Sequence, residues 1–130
     1  MFSVPSIEIR RTISGAAPSL PYEKIAKRIL GKNYTLSLVI CGDDLARRMN
    51  KTYRQKTHAP NVLSFPYAKN DGEIFLNVRK AGREARHMDI SHRARLALLF
   101  VHGCLHLKGH DHGAIMERHE QTVLRKFHLQ

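Results

Sequence analysis

The stretch LALLFVHGCLHLKGHDHG, residues 96–113, does most to decide the fold of this chain. It begins with Leu96–Val101, which is apolar on every side of a helix, and such a helix belongs in the centre of a domain. His102 and His106 follow four residues apart. That spacing places the two imidazoles on one face of the same helix, one turn from each other. The stretch therefore predicts a central helix that carries a pair of histidines.

A third histidine joins this pair if the chain reverses after the helix. Gly109 tolerates the left-handed conformation that ends a helix, so the chain can turn back and bring His112 toward His102 and His106. Three neutral imidazoles with one position left open are the pattern of a catalytic zinc site, whose bound water ionises near neutral pH. We predict one zinc ion per chain, or another divalent transition metal, since imidazole suits several of them. The alternative interpretation is a set of solvated or core-packed histidines.

The charge of the chain points to a polyanionic partner. With 22 lysines and arginines against 11 aspartates and glutamates, the 130 residues carry a formal net charge of +11. An excess of this size in a small domain favours nucleic acid. A hydrophobic content of 42% with 25% charged residues is typical of one globular domain over residues 1–130. No apolar stretch reaches the length that crosses a bilayer, so we expect no membrane partner.

The cysteines and the N-terminal residues bear on the cellular compartment. Two cysteines give no disulfide framework. Cys104 lies about 200° round the helix from His102, which makes it a small core residue rather than a ligand. The start MFSVPSIEIRR has no positive region ahead of an apolar run, so it does not resemble a secretory signal. These observations predict a cytoplasmic protein.

Hydrophobic periodicity outlines four strands and about five helices. The strands are predicted over residues 6–13, 34–41, 62–67 and 73–77. A tight Asn-Asp-Gly turn between the last two indicates that they are antiparallel neighbours. Because strands and helices do not alternate strictly, we predict a single α+β domain with a mixed four-stranded sheet.

The helices have recognisable first residues. Ser19 is predicted to cap the first helix, Asp43 or Asp44 the second, and Asp89 or Ser91 the histidine-bearing one. Further helices are predicted over 78–86 and 114–127. The last helix is amphipathic and is expected to turn four apolar residues inward: Ile115, Val123, Leu124 and Phe127.

The run HGCLHLKGHDHG resembles the signature of the bacterial YbeY family, the metal-dependent endoribonucleases of ribosomal RNA maturation. That signature reads His-Gly-x-Leu-His-Leu-x-Gly-[Tyr/His]-Asp-His, and residues 102–112 match it throughout. Two supporting matches lie upstream, in residues 50–66 (Asn-x-x-Tyr-Arg, then NVLSFP) and 72–76 (GEIFL). Pro60, Asn61 and Glu73 depart from the family pattern, which usually has Thr, Asp and Asp at these positions.

The resemblance implies a zincin-like metal helix in a zinc-dependent endoribonuclease that hydrolyses single-stranded RNA. It implies a role in maturation of the 3′ end of 16S ribosomal RNA and in ribosome quality control. The implied partners are ribosomal RNA and components of the small ribosomal subunit, and no DNA is expected. It also implies His102, His106 and His112 as the zinc ligands, and a functional Arg54 in the cleft.

Arg54 and three residues near the histidines are the remaining candidates. The planar guanidinium of Arg54 can hold phosphate oxygens bidentately and offset charge that builds in the transition state. Without the resemblance, Arg54 would be interpreted as an exposed arginine at a helix end. His110 is predicted at the rim of the site or behind a ligand. Asp111 either orients a ligand imidazole or caps the last helix, and Ser64 either faces the cleft or points outward from its strand. We identify no general base, and we expect five further histidines on the surface: His58, His87, His92, His119 and His128.

Two hypotheses of other classes compete with the endoribonuclease. A non-catalytic assembly factor would bind pre-ribosomal RNA and use a structural zinc, with His110 completing four protein ligands. A metalloprotease shares the histidine spacing, since metzincins have it too. Those proteases place a glutamate directly after the first histidine as general base, and Gly103 occupies that position here.

Overall fold

The chain folds around a four-stranded sheet in a computed structural model that describes residues 7–130. Ser6, the predicted start of the first strand, lies outside these residues. The elements follow one another as β1 (Ile7–Arg11), α1 (Tyr22–Leu30), β2 (Thr35–Cys41), α2 (Asp43–Arg54), β3 (Val62–Ala68), β4 (Asp71–Asn77), α3 (Val78–Met88), α4 (His92–Lys108) and α5 (Ala114–Lys126). The predicted α+β class is confirmed.

The sheet is mixed, with the strand order β1-β2-β4-β3. β1, β2 and β4 run parallel, so that Ile7 lies beside Leu36 and Leu38 beside Ile74. Parallel neighbours need a crossover; α1 lies in the one from β1 to β2, and α2 in the longer one from β2 to β4. β3 pairs antiparallel with β4 across a tight turn, as the Asn-Asp-Gly sequence predicts.

The two faces of the sheet carry cores of different size. Leu38, Ile40 and Ile74 face the larger core, which they share with the buried sides of α1, α3, α4 and α5. Val39 and Phe75 point to the opposite face, where α2 covers them. The alternation follows from the two-residue period of a strand. It places the histidine-bearing helix over the larger core.

α4 is the centre of that core, as its apolar sequence predicts. Nine of its 17 residues are buried, Cys104 among them, and it packs against α1, α3, α5 and two strands. Ser91 accepts a hydrogen bond from the Ala94 amide and caps the helix, which decides between the two predicted caps. Gly109 ends it with a φ of 104°, in the left-handed region that favours glycine. Neither α4 nor any other helix within residues 7–130 has the length and apolar character that crossing a membrane requires.

The predicted caps of the first two helices are wrong. α1 begins after Pro21 without a side-chain cap, and the carbonyl of Ser19 instead accepts a hydrogen bond from Arg93. The N-cap of α2 is Gly42. Asp43 does not cap because its carboxylate is engaged by Asn77 and Arg83, at 2.9 and 2.8 Å. Carboxylates in the first turn still favour a helix through its dipole.

α5 turns a different face to the core than its sequence suggests. Ile115 is 64% exposed, whereas Met116 is 1% exposed. The buried residues Met116, Glu120, Val123 and Leu124 follow at intervals of four, three and one, which mark one helical face. The prediction for Ile115 is therefore wrong, while those for Val123 and Leu124 are confirmed. The predicted inner face is rotated from the observed one because the observed face includes a buried carboxylate, Glu120, which an apolar pattern does not reveal.

His92 is partly buried rather than on the surface as expected. Its Nε2 lies 2.8 Å from the carbonyl oxygen of Val78 and donates to it, since a carbonyl can only accept. The ring also lies against Gly82, where a Cβ would come within 3.1 Å of it. Gly82 therefore allows the start of α4 to pack closely against α3.

Candidate metal centre

The three predicted ligands lie together at the end of α4. One ring nitrogen from each of His102, His106 and His112 lies within 4.8 Å of the others. The Nε2 atoms of His102 and His106 are 3.0 Å apart. The turn at Gly109 returns His112 to them, with ring centroids 4.9 and 4.7 Å away. The predicted convergence of the three histidines is confirmed.

The outer nitrogens of the two helical rings both contact acceptors. Nδ1 of His102 lies 3.3 Å from Oε1 of Glu120, and Nδ1 of His106 lies 3.1 Å from the carbonyl oxygen of His110. Carboxylate and carbonyl oxygens are acceptors, so each Nδ1 is placed to donate, and in a neutral imidazole this leaves a lone pair on Nε2. Two lone pairs that face each other at this distance repel unless a cation lies between them. The donor set therefore fits a divalent metal that accepts nitrogen ligands.

The environment of His106 keeps its ring in the form that binds metal. Burial lowers its pKa, and the neighbouring rings of His102 and His112 lower it further. The carbonyl of His110 and the carboxylate of Asp111 act in the opposite direction, but the net shift is downward. A lowered pKa favours the neutral imidazole, and metal ligation requires that form.

Glu120 is a residue behind the metal ligands that the sequence did not predict. It lies on the buried face of α5, is 7% exposed, and contacts the nitrogen of His102 that faces away from the other two ligands. The contact fixes the tautomer and orientation of the ring. A sequence clue exists in retrospect. Glu120 stands between Met116 and Val123 on the apolar face, and a carboxylate buried there needs a polar partner.

The histidines open into a cleft of about 810 Å³ with a cationic wall. Glu120 is the acidic residue in its lining. Four basic side chains also line it: Arg54, Lys56, Lys80 and Arg95. Arg54 is the exposed last residue of α2. The structure therefore brings it to the same cleft as the three histidines, and its catalytic role stays a prediction.

Ser64 and His58 line the same cleft. The Ser64 hydroxyl donates to the Gly103 carbonyl at 3.0 Å, so it joins β3 to the metal helix. Of the two alternatives for Ser64, the structure favours the position facing the cleft. His58 is exposed, as expected, but its place on the cleft wall was not anticipated.

His110 lies behind a ligand ring, one of the two places predicted for it, but it contacts that ring through its backbone, whereas Asp111 does not cap the last helix. The ring of His110 lies against that of His119, with centroids 4.8 Å apart, while its backbone carbonyl contacts His106. Within residues 7–130 no fourth His, Cys or carboxylate joins the ligand group, so His110 does not close the site. Asp111 is exposed and does not cap α5, which begins after Gly113 without a side-chain cap. Asp111 was one candidate for orienting a ligand imidazole. The contacts to the outer ring nitrogens come instead from Glu120 and from the His110 carbonyl.

The family model described as "Endoribonuclease YbeY" matches residues 6–128. The chain belongs to the YbeY family. Two relatives named Endoribonuclease YbeY illustrate the similarity. One from Neorickettsia sennetsu is 34% identical over 110 residues, which cover 76% of this chain and 77% of the relative. One from Methylibium petroleiphilum is 38% identical over 117 residues, covering 82% and 78%.

YbeY membership makes this chain an endoribonuclease, and thus a hydrolase, and it confirms the resemblance carried by residues 102–112. It disfavours the non-catalytic assembly factor and the protease. A solution structure of a Thermotoga maritima protein has the same fold, with a TM-score of 0.62 over 92% of this chain and 89% of that chain, at 19% identity. The two proteins thus share a fold although their sequences are only 19% identical.

Proposed function

We propose that the chain is a zinc-dependent endoribonuclease that hydrolyses single-stranded RNA at the His102–His106–His112 centre. One observation carries the proposal. The Nε2 atoms of His102 and His106 face each other at 3.0 Å while both Nδ1 atoms donate to acceptors, an arrangement that favours a cation between them. His102, His106 and His112 would hold the ion with three protein ligands, which would leave one of the four positions usual for zinc to solvent or substrate, as in catalytic zinc sites.

The residues around the centre suit a phosphodiester substrate. When bound, a divalent cation acidifies a coordinated water and polarises a phosphate oxygen. Arg54 offers a planar, permanently charged fork to the remaining phosphate oxygens. Lys56 and Lys80 add positive charge to the wall, which attracts a polyanion and concentrates it at the centre. Glu120 keeps His102 oriented from behind.

The biological setting is also part of the proposal. We propose that the substrate is ribosomal RNA, with maturation of the 16S 3′ end and ribosome quality control as the processes served, in the cytoplasm and with small-subunit components as partners. The family membership supports the RNA substrate. The net charge of +11 supports a polyanion of this kind. The two buried free cysteines are compatible with a reducing compartment.

Two single variants test the chemistry. Purified parent protein should contain about one zinc per chain by elemental analysis, and it should cut a labelled single-stranded RNA. His106→Ala should lose both metal and cleavage. Arg54→Ala should keep the metal and lose about 100-fold or more in cleavage rate, as expected for a group that stabilises transition-state charge.

Matched controls separate these effects from general damage. His87→Ala removes an exposed histidine and Lys51→Ala an exposed cation on the same helix as Arg54. Both should cut like the parent. The proposal is wrong if His106→Ala and Arg54→Ala, purified in the same way, cut RNA as fast as the parent.

A further inference from the structure

A second cluster of basic side chains lies on a face of α3 other than the one that lines the metal cleft. Two adjoining crevices share Arg79 and Ile13, and together they are lined by six arginines, which we call the arginine groove: Arg10, Arg11, Arg48, Arg79, Arg83 and Arg86. None of the six lines the metal cleft. The arginine groove is therefore a second cationic feature of the surface, separate from the catalytic one.

The topology of the sheet builds this groove. β1, β2 and β4 are parallel and end at the same edge, where β1 ends in Arg10 and Arg11 and β4 leads into Arg79. Arg79, Arg83 and Arg86 recur at helical spacing along one face of α3. Gly42, directly after β2, lies under Arg79, and a Cβ there would approach its Cδ to 3.3 Å. Ligands often bind at the carboxyl ends of parallel strands.

The charges of the groove are only partly neutralised within the protein. Two carboxylates accompany the six guanidinium groups in its lining, those of Asp43 and Asp44. Asp43 pairs with Arg83 at 2.8 Å, and Asp44 lies 3.8 Å from Arg47, which is outside the groove. In the part of the chain that the structure describes, no ion pair involves Arg10, Arg48 or Arg79. Like charges gathered in this way repel one another, and a polyanion would relieve that repulsion.

The chemistry of the lining favours phosphate over bases. Its side chains are arginines, aspartates and small or aliphatic residues, with one histidine, His92, and no Phe or Tyr. Stacking of unpaired bases uses aromatic platforms, whereas the nucleic-acid backbone is contacted through guanidinium and ammonium groups. His92 is already committed to the Val78 carbonyl.

Continuity with the metal cleft points to RNA rather than to an acidic protein. Arg79 lines the groove and the next residue, Lys80, lines the metal cleft, so the groove and the cleft flank the first turn of α3 on neighbouring faces, about 100° apart round the helix. We propose that the arginine groove binds the phosphate backbone of the RNA segment adjoining the one in the metal cleft. The inference rests on the endoribonuclease function. It assigns long RNA a second contact, independent of base sequence, that short RNA lacks.

The test compares two triple variants that lose the same charge. The groove variant is Arg10→Gln, Arg48→Gln and Arg79→Gln. The control is Lys24→Gln, Arg28→Gln and Lys32→Gln, at exposed positions in and after α1. Binding of fluorescent single-stranded RNAs of about 6 and about 20 nucleotides is measured by anisotropy over a range of salt concentrations, lengths chosen around the site sizes of single-strand binding grooves.

The groove variant should bind the longer RNA about tenfold or more weakly than the control does. Its slope of log affinity against log salt should fall by about 2, close to that expected for three lost phosphate contacts. Metal content, affinity for the short RNA and its cleavage rate should equal those of the control. Equal affinity of groove variant and control for the longer RNA overturns the proposal, and selective loss of binding to polyglutamate would then indicate an acidic protein partner. A parent that binds but does not cut RNA contradicts the proposed function instead. The comparison of binding affinities then still tests whether the arginine groove binds RNA.

Discussion

At the scale of single residues, we expect the contact from Glu120 to strengthen His102 as a metal ligand. Its carboxylate lies on the outer ring nitrogen and is almost fully buried. We expect Glu120→Gln to lower zinc affinity by about 10- to 100-fold, because the amide accepts the same hydrogen bond without the negative charge that makes the ring a stronger ligand. Competition with a chromophoric chelator measures the change. Glu117→Gln, exposed on the same helix, is the control; equal affinities for both variants would remove the positioning role of Glu120.

Asn61 is one of the positions where the sequence departs from the pattern that it resembles, and its surroundings suit an amide. Its Nδ2 lies 3.3 Å from both oxygens of Glu84, which also pairs with Arg95 at 3.1 Å. Asn61→Asp would place a second carboxylate against the first. We expect a loss of about 1–3 kcal/mol in the free energy of unfolding, measured with urea. Asn61→Ala removes the hydrogen bond without adding charge, so Asn61→Asp should be the less stable of the two; the reverse order would exclude charge repulsion.

At the scale of elements, Gly103 sets the distance between α4 and the sheet. A Cβ there would lie 3.1 Å from Oγ of Ser64 and 3.2 Å from side-chain carbons of Ile74 and Val62. Alanine favours helices over glycine by about 1 kcal/mol. We nevertheless expect Gly103→Ala to destabilise the protein by about 1–3 kcal/mol through overpacking. It should also weaken metal binding, since the contact lies between His102 and His106. Urea unfolding and metal titration check both effects, and a gain in stability would contradict the close packing.

Asp43 joins the start of α2 to β4 and α3, and its effect should depend on pH. Hydrogen bonding from Arg83, with a smaller contribution from Asn77, holds the pKa of this carboxyl below its ordinary value of 3.8. A lowered pKa in the folded state adds stability above the unfolded pKa, and that stability is lost as pH falls through the folded pKa. We expect Asp43→Asn to be less stable than the parent at pH 6, with the difference shrinking as the pH falls below about 4. Urea unfolding across this range tests the trend; a gap that does not narrow would contradict it.

The sequence predicts elements better than it predicts the contacts between them. The extent of α4 follows from its apolar run, its N-cap Ser91 and its C-cap Gly109, because these are local properties of the sequence. The pairing of Glu120 with His102 joins residues 18 apart on different helices, and no local rule supplies it. The same holds for Asp43, whose partners Asn77 and Arg83 lie more than 30 residues away and withdraw it from capping. Distant partners of polar residues therefore account for the wrong cap at Asp43 and for the missed contact of Glu120, and the unrecognised burial of Glu120 led to the wrong prediction for Ile115.

At the scale of the whole molecule, the metal centre connects two segments that the backbone joins only through a glycine turn. His102 and His106 belong to the buried α4, whereas His112 is exposed in the segment that leads into α5. A cation bound by all three would therefore fix the approach of α5 to the core. Because the complete ligand set exists only in the folded chain, the metal should stabilise the protein against unfolding.

The size of this stabilisation follows from mass action. At a free zinc concentration about 100 times the dissociation constant, the free energy of unfolding should rise by about 2.7 kcal/mol. For a domain of this length that corresponds to an increase of roughly 10 °C in Tm, which calorimetry with and without chelator measures. His112→Ala should abolish the increase without lowering the Tm of the metal-free protein, because the exposed side chain contributes little to the core. His87→Ala should respond to zinc like the parent. If zinc raises the Tm of His112→Ala as much as that of the parent, His112 is not the third ligand, and the turn at Gly109 does not serve to bring a ligand to the metal.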